Sequence, residues 1–168
     1  MMNFLSRRNF LKVGFLSSLL MFSYKGELFA ATTPLQTIVV VQRDLFTDNL
    51  PTMNTQDVSA GIYLSNILSH SRVRDEDKEF IKDGAKWLNE EAIDKYEKIY
   101  EKLSPKQRDK VLKEIVDSDW GESWLAMIMT YIMEAMLGDP IYGGNVDESG
   151  WKWLNHVGGT PRPTKAVL

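Results

Sequence analysis

The run WLAMIMTYIMEAML, Trp124–Leu137, is the most apolar stretch of the chain after its N-terminal segment, and only Thr130 and Glu134 in it are clearly polar. A helix that is apolar on nearly every face is either the buried centre of a helical domain or a membrane span. Its 14 residues fall short of the ~20 that cross a bilayer, so it reads as a central helix starting near Trp120. Gly138 is a ready C-cap, and Pro140 blocks continuation.

Towards the N-terminus the pattern stays helical. Ser104-Pro105 is an N-cap followed by a first-turn proline, and Val111, Leu112, Ile115 and Val116 line the short helix it opens. Before it, Phe80, Gly84, Trp87, Leu88, Ile93, Tyr96, Ile99, Tyr100 and Leu103 recur near helical spacing, which predicts one long helix to about Leu103. Gly84 marks a place for a kink or a split. Glu91–Lys95 and Asp94–Lys98 are spaced as i,i+4 pairs. A helix from Asn54 or Thr55 to about Ser69 would bury Val58, Ile62, Leu68 and Ile67, and Thr47–Asn54 before it, with Pro51, reads as a loop. Residues 35–46 have two readings. Thr33-Pro34 caps a helix whose apolar positions keep a 3.6-residue period, while the β-branched run Ile38–Val41 favours a strand; the helix is preferred. The fold class is all-α, a small domain of about five helices over residues 32–137.

After Leu137 the composition changes. Residues 138–168 are rich in turn formers and aromatics, with no obvious regular element: Gly138-Asp139-Pro140-Ile141-Tyr142-Gly143-Gly144-Asn145, then Gly150-Trp151-Lys152-Trp153, then Gly158-Gly159-Thr160-Pro161-Arg162-Pro163. Tyr142, Trp151 and Trp153 each bring ~150–250 Å² of surface to bury. They either fold back on the domain's own helices or anchor a partner.

Residues 1–31 have the order of an export signal: a basic start, an apolar run from Val13 to Tyr24, then small residues around Ala30 and Ala31. Ser6, Arg7, Arg8, Phe10, Leu11 and Lys12 match the twin-arginine pattern. That predicts a twin-arginine signal, the translocase as a partner and the periplasm as destination; a retained anchor is the second reading. The twin-arginine route carries folded cargo, which has loaded a cofactor or travels with a partner that has.

Composition excludes several chemistries. From residue 32 on, 16 basic residues face 22 acidic ones, a net charge of −6, with no electrostatic case for nucleic acid or an anionic membrane. The chain has no cysteine, which removes disulfides, Fe–S clusters, Cys-ligated zinc and covalently attached haem c. His70 and His156 are the only imidazoles, too far apart in sequence for a metal motif. His70 reads as a helix-terminal cap and His156 as a loop residue. Met127, Met129, Met133 and Met136 read as core filling rather than soft-metal ligands. Glu90, Glu91 and Asp94 read as a solvated face. Gly143-Gly144 follows no strand and is no dinucleotide fingerprint. No catalytic, cofactor-binding or metal residue is assigned within the chain.

The G-D-P-I-Y-G-G-N run with G-W-K just after it resembles the C-terminal signature of the gluconate 2-dehydrogenase subunit 3 family, in which a helix ends in a G/S-x-P-x-Y-G-G-N turn. The helical pattern from about Leu35, with Leu103-Ser104-Pro105, is also similar. The resemblance implies a complex of three parts: an FAD-binding large dehydrogenase subunit, a cytochrome c subunit carrying haem, and this small subunit. It implies that the small subunit is non-catalytic, helps the flavoprotein mature and carries it out through its own signal, the whole associating with the inner membrane. Pro140, Tyr142, Gly143, Gly144, Asn145, Gly150, Trp151, Lys152 and Trp153 are then the expected partner interface. The chain departs from the pattern after Trp153, where the family continues with an apolar-Gly-Pro stretch. The rival class is a stand-alone periplasmic binding protein or small enzyme.

Overall fold

The computed structural model describes residues 33–46 and 60–166. The expected export signal, the expected loop over 47–54 and the expected start of the second helix, Val58 included, lie outside the described residues. The described residues form a single compact unit that includes the tail. Among the described residues there are six α-helices and no strand: α1 (Pro34–Leu45), α2 (Ala60–Ser69), α3 (Asp75–Tyr96), α4 (Pro105–Ile115), α5 (Gly121–Leu137) and α6 (Ser149–Trp153). The five helices expected from the sequence are present, and α6 is an addition inside the tail. No helix among the described residues is long and apolar enough to cross a membrane.

Two helix starts follow from their sequences. Thr33 with Gln36, and Ser104 with Gln107, form capping boxes ahead of Pro34 and Pro105. Each cap is worth ~0.5–2 kcal/mol. This local advantage sets 34–45 as helix over its β-branched run. Helices α1, α2 and α3 pack around α5, whose Trp124, Ile128, Ile132, Ala135 and Met136 meet Ile38 and Val41 of α1, Leu64 of α2 and Ile81 and Leu88 of α3 in one core, while α4 packs on α1 and α3. Gly84 neither kinks nor splits α3, which runs unbroken across it. It seats α5 instead: Trp124 lies against it and donates from Nε1 to the Ile81 carbonyl at 3.0 Å. A Cβ on Gly84 would stand 2.2 Å from the indole.

Other expectations are corrected. The long helix stops at Tyr96, where Glu97 turns left-handed at φ 55° and donates to Ile93 O. Ile99, Tyr100 and Leu103 then reach the core from a 3-10 turn, Tyr100–Lys102. Asn89 Oδ1 makes that break tolerable by accepting from Tyr100 N at 2.8 Å. In α2 the buried stripe is Ala60, Tyr63, Leu64 and Ile67, and Ile62 is 57% exposed. Val116 is exposed too. Lys95 pairs with Glu114 on α4 rather than with Glu91.

One half-buried polar knot ties α1 to its neighbours. Arg108 grips Asp44 with two bonds, Nε at 2.7 Å and Nη2 at 3.0 Å, and Tyr100 donates to the same carboxylate at 2.7 Å. Burial, then the hydrogen bond to Asp44, pushes the Tyr100 hydroxyl far above its ordinary range. Such a bidentate pair fixes geometry as well as energy.

Candidate functional site

The residues singled out from the sequence lie in the segment after α5, and the structure assembles them around the C-terminus of that helix. A helix end leaves carbonyls without partners inside the helix. Here two side chains of the tail come back to fill them. Asn145, with no exposed surface, donates from Nδ2 to Gly138 O at 3.0 Å. Trp151, 8% exposed, donates from Nε1 to Leu137 O at 2.7 Å.

The turns between these contacts are built for close approach. Asp139 caps the 3-10 turn Pro140–Tyr142 by accepting from Ile141 N at 3.0 Å. Gly143 closes that turn at φ 81°, a conformation that costs other residues energy. The Tyr142 carbonyl accepts from Asn66 Nδ2 on α2 at 3.2 Å. Gly144 and Gly150 lie directly on the α5 backbone: a Cβ would be 2.5 Å from Ala135 O at the first and 2.0 Å from Met136 O at the second. Asn145 Oδ1 also accepts from Gly150 N at 2.8 Å, so one buried amide joins the helix end to the start of α6.

Between them, Asp147 and Glu148 both sit at positive φ, 51° and 61°. Lys152 steadies this strained turn by donating to Asp147 O at 2.6 Å. The last arm of the chain folds over Trp151. Its Arg162 guanidinium lies 4.6 Å from the ring centroid and bonds Asp139 and Glu148, each at 2.8 Å. The Arg162 hydrogen bond, then the one from Ile141 N, holds the Asp139 carboxyl below the usual carboxylate range. His156 packs edge-on against the same indole at 5.5 Å.

The tail is therefore more regular than its composition announces, and its signature residues divide in two. Gly144, Asn145, Gly150 and Trp151 face inward, while Pro140, Tyr142, Gly143 and Trp153 are half-buried and Lys152 is exposed. Sequence reasoning named these positions but not the two carbonyls they meet. It missed Arg162 and Asp139 as a pair, for which the only signal was opposite charge across a turn-rich segment.

The remaining candidates fall where no chemistry gathers. Among the described residues no three His, Cys, Asp or Glu side chains form a group able to hold a metal. His70 directly follows α2, donates from its backbone N to Ile67 O at 3.1 Å and accepts from Arg72 N at 3.2 Å on its imidazole. Glu90, Glu91 and Asp94 are exposed. Of the four methionines read as core, Met136 is buried, Met127 and Met129 are half-buried, and Met133 is 39% exposed.

Fold and site together define a small all-α domain whose central helix is closed at its C-terminal end by a clasp from the following segment. The chain belongs to a known family: the family model "Gluconate 2-dehydrogenase subunit 3" matches residues 39–159, from within α1 through the clasp. No significant match was found among curated proteins or among solved structures.

Proposed function

We propose that this chain is the non-catalytic small subunit of a periplasmic, FAD-dependent gluconate 2-dehydrogenase-type complex, and that it escorts the flavoprotein through twin-arginine export. The observation that carries this reading is the family match over residues 39–159. The twin-arginine string Ser6–Lys12 supports the escort role. The flavin and the substrate chemistry belong to the large subunit, and electrons leave through a cytochrome c subunit near the inner membrane. Pro140, Tyr142, Gly143, Lys152 and Trp153 contribute contacts to the large subunit. Gly144, Asn145, Gly150 and Trp151 hold those residues in place.

The test is a double substitution in the export string, Arg7→Lys with Arg8→Lys, in the native host. The expected outcome is that this chain and the flavin-loaded large subunit both stay in the cytoplasm. A flavin-loaded large subunit that still reaches the periplasm defeats the escort role. Stoichiometric flavin in the small chain purified alone would defeat the non-catalytic assignment.

A further inference from the structure

Past α6 the chain doubles back, and one side chain holds it there. Asn155 makes the reversal at φ 53°, a conformation that asparagine adopts more readily than most residues. His156 N then donates to Trp151 O at 2.8 Å. In the arm that follows, residues 157–166, only Gly158 and Arg162 are half-buried and the rest are exposed, Val157 to 86%. Gly158 rests on the Trp151 indole, where a Cβ would stand 2.4 Å from Cζ3. Among the described residues, the hydrogen bonds and ion pairs of this arm all come from Arg162. Its guanidinium is held by two carboxylates and a ring. Nε donates to Asp139 Oδ2 and Nη1 to Glu148 Oε1, each at 2.8 Å, and the guanidinium carbon lies 4.6 Å from the Trp151 ring centroid.

We propose that the arm is a strap with an arginine latch: it swings open at Asn155 without unfolding the domain, and the receptor it uncovers binds an arginine side chain from outside. Nothing in this device depends on the subunit reading. The latch is weak by construction. The Arg162 side chain is 36% exposed and that of Glu148 45%, and ion pairs in contact with water gain little. A cation–π contact at an exposed site adds a similarly small amount. Together they favour the closed strap by about 10- to 100-fold, which leaves the open form as a standing minor population. The clasp below does not need the arm. Trp151 Nε1 holds Leu137 O and Asn145 holds Gly138 O without help from any arm residue. Opening therefore uncovers an indole whose Nε1 stays anchored, beside two carboxylates. That set of groups selects guanidinium over ammonium. A planar fork reaches two separate carboxylates while lying against a ring, whereas an ammonium is a compact point charge. Asp139, Glu148 and Trp151 lie within the family match, which ends at residue 159, and Arg162 lies beyond it, so the receptor is separable from the strap that fills it.

The test follows the full chain by nitrogen–proton NMR, reading the Trp151 indole N–H, which is identified by its absence in Trp151→Phe. In Arg162→Gln the backbone signals of 157–166 should move to unfolded positions while those of α1–α5 stay dispersed. Loss of dispersion throughout would make the arm part of the core and overturn the strap. N-acetylarginine amide should then shift the Trp151 indole signal of Arg162→Gln saturably. N-acetyllysine amide should bind at least about tenfold more weakly. Wild-type chain should need at least about tenfold more of the arginine amide, because its own strap competes. Adding Asp139→Asn and Glu148→Gln to Arg162→Gln should abolish the response; both changes keep the side-chain shape, and the first keeps the acceptor for Ile141 N. An equal response to both amides reduces the receptor to an acidic patch, and no response to the arginine amide removes it; either result overturns the proposal. So does wild-type chain that responds as readily as Arg162→Gln, or a response that survives the two carboxylate substitutions.

Discussion

Replacing Asn145 by alanine isolates the clasp. Its amide makes two bonds in the absence of solvent, to Gly138 O at 3.0 Å and from Gly150 N at 2.8 Å. Gly150 is buried, so its N–H loses a partner that water does not replace, at ~1–3 kcal/mol. Gly138 is half-exposed, so its carbonyl recovers part of its loss from water. With the small cavity left behind, the total is about 2–4 kcal/mol. For a urea dependence of ~2 kcal/mol/M that moves the midpoint down by about 1–2 M with an unchanged slope. Far-UV circular dichroism of the chain from residue 32 reads it directly. Asn145→Asp sharpens the test. It keeps the acceptor for Gly150 N but turns a carboxylate towards Gly138 O. That raises the new carboxyl's folded pKa above its unfolded value of ~3.9. Stability is then lowest near neutral pH and recovers as pH falls through the folded pKa, where the protonated acid donates to Gly138 O. A midpoint shift below ~0.3 M for the alanine variant refutes the structural role of this side chain.

Three other outcomes follow from the same geometry. Gly84→Ala drives a methyl into the Trp124 indole, 2.2 Å away, and should destabilise the domain by about 2 kcal/mol or more in the same urea assay; a neutral effect would mean α5 slides freely on α3. Trp151→Phe keeps the ring under Arg162 but loses the donor to Leu137 O. It should cost about 1–2 kcal/mol, and Trp151→Ala about 3–5 kcal/mol; an unchanged melt in both would free this side chain to be an anchor. Arg162→Gln removes the partner that holds the Asp139 carboxyl low. The depressed folded pKa makes that contact stabilising above the unfolded pKa and lost as pH falls through the folded one. In the variant, carbon NMR titration should find the Asp139 carboxyl moved up towards the ordinary carboxylate range, and an unmoved titration rejects the pairing.

The parts of the fold visible in the sequence were those fixed locally. Thr33-Pro34 and Ser104-Pro105 announce their helices because capping chemistry lies within three residues. Trp124–Leu137 announces a central helix because nothing else accommodates so many apolar side chains. The misreadings come from contacts distant in sequence. No glycine or asparagine marks the end of α3 at Glu97; Asn89, eleven residues before Tyr100, holds the chain there. The phase of α2 failed at Ile62 because Tyr63 buries its ring while its hydroxyl reaches Glu134 on α5, and periodicity has no view of that partner. Gly84 looked like a break because the indole that needs its missing Cβ belongs to a helix 40 residues on.

The clasp changes how the signature of this family is understood in physical terms. Gly-Gly-Asn followed by Gly-Trp-Lys has the composition of a binding loop, since aromatics in a glycine-rich frame suggest anchors held close to a partner's backbone. Here the backbone approached is the chain's own: Gly144 and Gly150 lie on α5, and Asn145 and Trp151 fill carbonyls at its end. A central helix that stops inside its domain has to satisfy those carbonyls, and this segment does so without another helix. It also fixes where α5 ends relative to α2, through Asn66 and the Tyr142 carbonyl.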